Sequence, residues 1–483
     1  MSHVTVQDAD VLILGAGLAG LRAAWAAAAT RPNLRVAVAW AGNGPSGSSF
    51  ANPNGQLGLF LPHLAYPEAP DETLGERLAA DVLRLAAPGR ADPNLVRALA
   101  EDAPERFEEL AALGIHFLQD GQGGLLRRSS CFLPGRRGAV VFDDLPQVFA
   151  HMRNKVSALG VVLLPGLRTL GLLTSPDSSH DSGRILGAVF RETGSGAARI
   201  IRARTVIAAM GGPARLFTLC GSGAGNRGEG HALLALAGAD MENERFLQFM
   251  WSEVPSGGFF PFSRLAGDGV RLMGPDGREE ALPRELAALT PARMTHCPLS
   301  HSLPDAALDR HLLARLGPDG TIRIRESDGR LARIAPLAHA GNGGARIDGR
   351  GRTTTPGLYA AGECATGMHG ADRIGGAMVL ACLVFGARAG KAAANEARDA
   401  PPPPERLVEQ LAAKVLAKSP ESGERAPWSP PITPDMQGAL VLGEGPALAA
   451  LAERFEQGYR ETGDLRAYAA WRLARRPKAQ GTA

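Results

Sequence analysis

Val11 to Ala29 read VLILGAGLAGLRAAWAAAA: four apolar residues of strand type, a glycine-rich turn, then an alanine-rich stretch of high helix propensity. With glycine at 60 of 483 positions, a GxGxxG pattern alone carries little weight. Its setting carries more, because strand, tight turn and helix in that order build a phosphate site. Gly15 permits the turn, Gly17 lets backbone approach a pyrophosphate, and Gly20 lets helix and strand pack closely. Leu18 and Ala19 open the helix, whose first N–H groups and positive dipole end face the phosphates. LRVAVAWAG (Leu34–Gly42) supplies the second strand of a βαβ unit. One part of the dinucleotide pattern is missing. The carboxylate expected about 20 residues on, to hold the ribose hydroxyls, is replaced by Trp40, and no Asp or Glu occurs from Arg31 to Ala51.

The rest of the chain reads as α/β. Helical patterns cover Thr73–Ala87 and Pro93–Leu113, and strands are expected at Gly160–Leu164, Arg184–Arg191 and Ile200–Ala209, with a small antiparallel insert among them. A second glycine turn, Gly211 and Gly212, follows TVIAAM. A Pro/Gly-rich region extends to about Ile334, and GLYAAGEC (Gly357–Cys364) is the last strand-like run before an apolar helix. APPPPE (Ala400–Glu405) is a semi-rigid linker to two helical patterns, Arg406–Lys418 and Pro446–Leu473, and to a basic tail expected to be disordered.

A net charge of +3 without a dense Lys/Arg block gives no nucleic-acid signature. The five cysteines are scattered, with no CxxC, which fits a reducing compartment and offers no ligand set for an iron–sulfur cluster or zinc. The polar start lacks a signal-peptide pattern. The longest uncharged apolar run, Gly375–Ala387, is shorter than the roughly 20 residues of a membrane helix. A cytoplasmic protein without a membrane span is expected.

Several of these segments, in this order, resemble the flavoprotein family of fumarate reductases, succinate dehydrogenases and L-aspartate oxidases. GAGLAG matches its FAD pyrophosphate fingerprint, and GSSFANPNGQLG (Gly47–Gly58), with Ser48, Ser49 and Gly55, looks like its Ser/Thr-then-Gly segment beside the flavin. TVIAAMGG is similar to its VVLATGG strand, and GEGHALLALAGA to its GDGxxMAxxAGA, with Glu229 for the usual Asp. GLYAAGECATGMHGADR, containing Gly362, Glu363 and His369, is similar to GLYAAGExxxGxHGANR, and Met378 and Leu380 follow in its flavin-side helix. The resemblance implies a Rossmann-like FAD domain in two segments (1–248 and 336–397), a capping domain between them (249–335) and a linker with a short helical region (398–483). It also implies FAD as cofactor. Ser48 and Ser49 stand where one subgroup carries a flavin-attaching histidine, so noncovalent FAD is expected.

The same resemblance assigns catalytic roles. Arg373 corresponds to the arginine that clamps a substrate carboxylate, and His339, in HAGNGG, to a histidine on the same carboxylate. Arg284 falls on the arginine the family uses to shuttle a proton, with Arg293 as the second candidate across a shortened cap. Other positions depart. The family's QFHPT reads QFMWS, putting Met250 where a substrate-binding histidine stands, and its TE pair becomes Phe262 and Ser263. RxxSNSLLE becomes RIGGAMVLA. A pocket that trades His and Thr for Met and Phe loses partners for a second carboxylate.

The expected activity is therefore FAD-dependent hydride transfer to or from a carboxylate-bearing substrate other than succinate or fumarate. The electron acceptor would be O2, a quinone or a redox protein. The alternatives are a flavoprotein electron-transfer subunit active only with a partner, a genuine L-aspartate oxidase or fumarate reductase, and a degenerate flavin-binding protein. Arg264 and Arg271 are the nearest replacement cations if the cap accepts a second carboxylate.

Overall fold

The computed structural model describes residues 4–47, 49–52, 55–176, 183–266, 269–274, 277–418, 430–442 and 446–475. Ser48 and the basic tail beyond residue 475 lie outside them. The main sheet has seven strands. β1 (Thr5–Leu14) lies at its middle, with β2 (Val36–Ala39) parallel on one side and strand Ala198–Ala208 parallel on the other. Leu12 faces Ala37 across one ladder and Val206 across the other. β1 ends in an almost unbroken buried apolar run, as a strand covered on both faces must. α1 (Leu18–Thr30) packs on helix Ala377–Asp399, the longest apolar helix among the described residues. That helix is long and apolar enough to cross a membrane by composition, yet 78% of its most apolar window is buried inside the protein. Its apolar surface is spent on the core.

Strand 198–208 is shared. Its first half pairs antiparallel with strand Ile185–Glu192, and its last three residues pair parallel with strand Leu358–Ala360. The expected antiparallel insert is thus an extension of the main sheet, completed by strand Leu167–Thr174, which the sequence reading passed over. A second, five-stranded sheet is built from strands between Leu247 and Gly341, all antiparallel, with Met250 opposite Leu337.

The C-terminal helices belong to these cores. Val408 and Ala412 of helix Glu405–Ala417 pack on Leu173, Leu186 and Val189. Ile432, Phe455 and Ala470 pack with Trp251, Phe249 and Ile334 of the second sheet. The single helical pattern expected over 446–473 is two helices, because Gly463 adopts φ +66° and Asp464 caps the next helix through the Arg466 N–H (2.9 Å).

Candidate active site

The glycine turn after β1 has the geometry its spacing predicts. Gly15 has φ +105°, and a Cβ there would lie 2.3 Å from the Ala209 carbonyl oxygen, so the fold itself requires glycine. Gly20 is needed for the same reason, since its Cβ would meet the Gly15 carbonyl at 1.9 Å. Gly17 differs. It is the N-cap of α1 at φ −75°, and the nearest protein atom to its Cβ position is Ser49 Oγ at 3.8 Å. What its missing side chain keeps open is space. No acid sits in the first turn of α1, and Ser49 Oγ accepts from the Leu18 N–H at 3.4 Å, so the helix end faces a cavity with its remaining donors and dipole available.

That cavity has a volume of about 780 Å³ and is lined by both glycine turns, by Trp40, and by His339, Glu363, Arg373 and Met378. This size and donor set fit a bound dinucleotide, with Gly15, Gly17, Leu18 and Ala19 at the phosphates. Gly211 lines the cavity, whereas Gly212 stands behind it, where a Cβ would press on the Glu363 carboxylate at 2.4 Å. Leu380 is buried in its helix, and Gly55 borders a separate pocket beside Asn52; neither lines the cavity. Glu229 does, and its carboxylate is held by Arg168 (Nη2–Oε1 2.6 Å). Arg168 is a cavity residue that sequence reasoning missed. Its strand, LRTLGLLT, does not alternate apolar and polar residues, so the sequence carried little signal for it.

Arg373 is buried, and its Nη2 donates to Gln248 Oε1 at 2.5 Å, while Gln248 Nε2 donates back to the Arg373 carbonyl at 3.3 Å. Gln248 is thus a positioning residue that the sequence offered beside Met250. Arg373 Nη1 has no partner among the described residues. Asp372 is no counter-ion for it, because its carboxylate accepts from Ser300 Oγ, the His301 N–H and Ser302 Oγ at 2.7, 2.9 and 2.7 Å. Burial pushes the guanidinium pKa down and Glu363 pushes it back up. The Glu363 carboxyl is raised by burial, against Arg373 and the Gly341 N–H it accepts at 2.8 Å.

His339 meets the cavity on one side and protein on the rest. Burial first, and the Arg373 charge second, bring its pKa down to about 4. It is a neutral imidazole at neutral pH, so Arg373 alone is the cationic member of the pair. His369 is lowered well below the usual range by the same two causes, but it is buried behind the cavity. The sign of the resulting stability effect is fixed. An unfolded chain binds a proton near pH 6.5, before the folded one does, so stability is full above that value and erodes as pH falls towards 4. We expect His339→Gln to show a smaller drop in Tm than the parent between about pH 7.5 and pH 4.5, the group's share being at most about 3 kcal/mol. Parallel Tm curves would refute this.

Other expected site residues are elsewhere. Arg284 opens a four-residue helix, Arg284–Ala287, is exposed, and does not line the cavity. The deletion that shortened the cap leaves its arginine on the surface. Arg293 is fully buried but committed. Its Nε bonds Asp309 at 2.9 Å, Nη1 donates to the His296 carbonyl at 2.6 Å, and the guanidinium lies 4.1 Å over the Phe262 ring. Phe262 is buried in the second sheet's core, and Met250 is buried on the Gln248 side of its strand; neither lines the cavity. Gly258 and Phe259, a few residues past strand Leu247–Glu253, line it instead. Arg264 is held by Glu253 and by Glu326 (Nε–Oε2 2.8 Å), and Arg271 sits on strand Arg271–Met273, outside the cavity lining.

Residues 10–379 match the family described as FAD binding domain. An L-aspartate oxidase from Caulobacter vibrioides is 30% identical over 438 residues, covering 83% of this chain and 80% of that one. A fumarate reductase flavoprotein subunit from Mycobacterium tuberculosis is 28% identical, covering 80% and 70%. A solved E. coli quinol fumarate reductase chain superimposes with a TM-score of 0.69 at 20% identity, covering 97% and 86%. The glycine cradle, the two-segment sheet and these likenesses together make the chain a member of the FAD-dependent oxidoreductase family that contains the fumarate reductases, succinate dehydrogenases and L-aspartate oxidases.

Proposed function

We propose that the protein oxidises or reduces a carboxylic acid carrying one carboxylate, across a C–C or C–N bond, using noncovalently held FAD. The observation that supports this reading is Arg373, buried on the same cavity as the glycine cradle, fixed by Gln248, and with Nη1 unclaimed among the described residues. Bound FAD supplies two-electron hydride chemistry. This chain's residues do the rest. Arg373 binds the substrate carboxylate, and its fixed fork sets the distance of the neighbouring carbon from the cofactor. His339 holds or accepts the proton at a ring nitrogen. A carboxylate on Arg373 cancels part of the charge that depresses His339, so substrate binding raises that imidazole towards the working pH. The electron acceptor, whether O2, a quinone or a redox protein, would take electrons in a separate half-reaction.

Noncovalent binding makes a prediction about Gly17. Gly17→Val should fold, because φ −75° suits any residue and, among the described residues beyond its own helix and chain neighbours, the atom nearest the added Cβ is Ser49 Oγ at 3.8 Å, yet be isolated without flavin. Absorbance after gel filtration reads this, and flavin remaining in the acid pellet of the parent would refute noncovalent attachment. A second experiment tests the site itself. Anaerobic mixing with a panel of carboxylic acids should bleach the flavin. His339→Gln should lower turnover about 10²-fold or more with little change in KM, while Arg284→Ala stays within about twofold of the parent. The opposite ranking would return the proton role to Arg284.

A further inference from the structure

Cys131 and Cys297 lie 166 residues apart, one in the loop after strand Arg127–Arg128 and the other between helix Thr290–Arg293 and the segment beside Met250. The fold brings them together. The Cys297 N–H donates to Cys131 Sγ at 3.4 Å. Cys297 is exposed and Cys131 partly so. Each is anchored from its own side, Cys131 next to Arg373 and Cys297 on the buried Arg293. The Cys131 carbonyl accepts from the Gly375 N–H at 3.2 Å, two residues past Arg373, and the Cys297 carbonyl accepts from Arg293 at 3.2 Å.

Their chemistry differs from that of the other three cysteines. The hydrogen bond from Cys297, with His296 and Arg293 nearby, pulls the Cys131 thiol down from its ordinary value, and the same contact pushes Cys297 up. Burial raises Cys220, and raises Cys364 and Cys382 to about 12. Two cysteines from distant segments in contact, one of them an exposed residue and one thiol lowered by its neighbours, are the arrangement of a dithiol that exchanges with disulfides.

The geometry points to Cys131 and Cys297 as a redox-active pair whose disulfide fastens the cap to the flavin-side loop Arg373–Gly376. The oxidant is a low-molecular-weight disulfide of the glutathione class. The Cys131 thiolate attacks one of its sulfurs, forming a mixed disulfide and releasing one thiolate. Cys297 then loses its proton to that thiolate and attacks Cys131 Sγ, expelling the second. Two protein thiols and one small disulfide become one protein disulfide and two small thiols, so the protein loses two electrons and two protons. In a cytosolic setting such a bond would be regulatory rather than structural.

The test uses the full-length flavin-loaded protein, equilibrated in glutathione buffers from fully reduced to fully oxidised, quenched in acid and alkylated. We expect a mass loss of two hydrogen atoms, one linked peptide pair containing Cys131 and Cys297, and reversal by dithiothreitol. Limited proteolysis within the cap should slow about tenfold on oxidation. Cys297→Ser, at an exposed position, should abolish both the linked peptide and the protection. Cys131 found only free or glutathionylated in fully oxidised buffer would overturn the pairing. Protection persisting in Cys297→Ser would overturn the fastening.

Discussion

Arg373→Lys is expected to lower kcat/KM by about two orders of magnitude while the protein keeps its full complement of flavin. The charge survives this substitution, so what is measured is the fork. Arg373 offers one guanidinium nitrogen to Gln248 and holds Nη1 without a partner among the described residues. A carboxylate can therefore take two parallel N–H donors from a group that packing has already oriented. Lysine gives a point charge on a flexible stem that can satisfy Gln248 or the substrate, and it pays entropy to do either. A lost bidentate contact at a desolvated site is worth about 3 kcal/mol, which corresponds to the two orders of magnitude. Because the carboxylate is bound in both ground and transition states, KM should rise as kcat falls. Steady-state kinetics with absorbance-matched enzyme decide this. A variant within threefold of the parent in kcat/KM would remove Arg373 from the clamp.

The fold and the cofactor were legible because their signals are local. A turn at Gly15 that needs positive φ, and a helix whose start must stay open at Gly17, cannot be disguised by neighbours in space. The sequence also named Arg373 and His339, since each sits in a short motif anchored by glycine turns. What it misplaced depends on distance in space. Arg284 matched a motif, but a motif match across a deletion does not say which way the shortened segment faces, and it faces water. Met250 and Phe262 were read as pocket walls, whereas the Met250–Pro298 bridge lays Pro298 beside the strand of Met250, and the Arg293 guanidinium covers Phe262 in a separate short helix. Gln248 stands in QFMWS but was given no role there, and Arg168 carries no motif of its own. Their roles exist only because strands far apart in sequence set them next to Arg373 and Glu229.

The largest discrimination we expect is against dicarboxylates. Succinate, fumarate and L-aspartate should show kcat/KM at least about 10³-fold below the best acid with a single carboxylate and an apolar far end. The named relatives include L-aspartate oxidases and fumarate reductases, so family membership alone would suggest otherwise. The argument rests on where positive charge is already spent. Besides Arg373 the cavity is lined by Arg168, bound to Glu229 at 2.6 Å, and by Arg227, whose Nε donates to the Ala224 carbonyl at 3.3 Å. Arg264 is bound to Glu326 and Glu253, and Arg293 to Asp309 at 2.9 Å. His339 is neutral, with a pKa near 4, and cannot serve as a second cation at neutral pH. What the cap brings to the cavity instead is Gly258 and the ring of Phe259. A second carboxylate buried against that surface lacks a counter-charge and hydrogen-bond donors, and such burial costs several kcal/mol, roughly 4 or more, before any contact is gained. An apolar group at the same place gains about 25 cal/mol for each Å² it removes from water. The two terms push in the same direction, so the ratio of efficiencies should exceed what either gives alone. Paired steady-state assays on matched acids, differing only in whether the far end is a methyl or a carboxylate, measure that ratio directly. Turnover of fumarate or L-aspartate within tenfold of the best monocarboxylate would mean that the cap supplies a cation after all, and Arg271→Ala would then be the first variant to test.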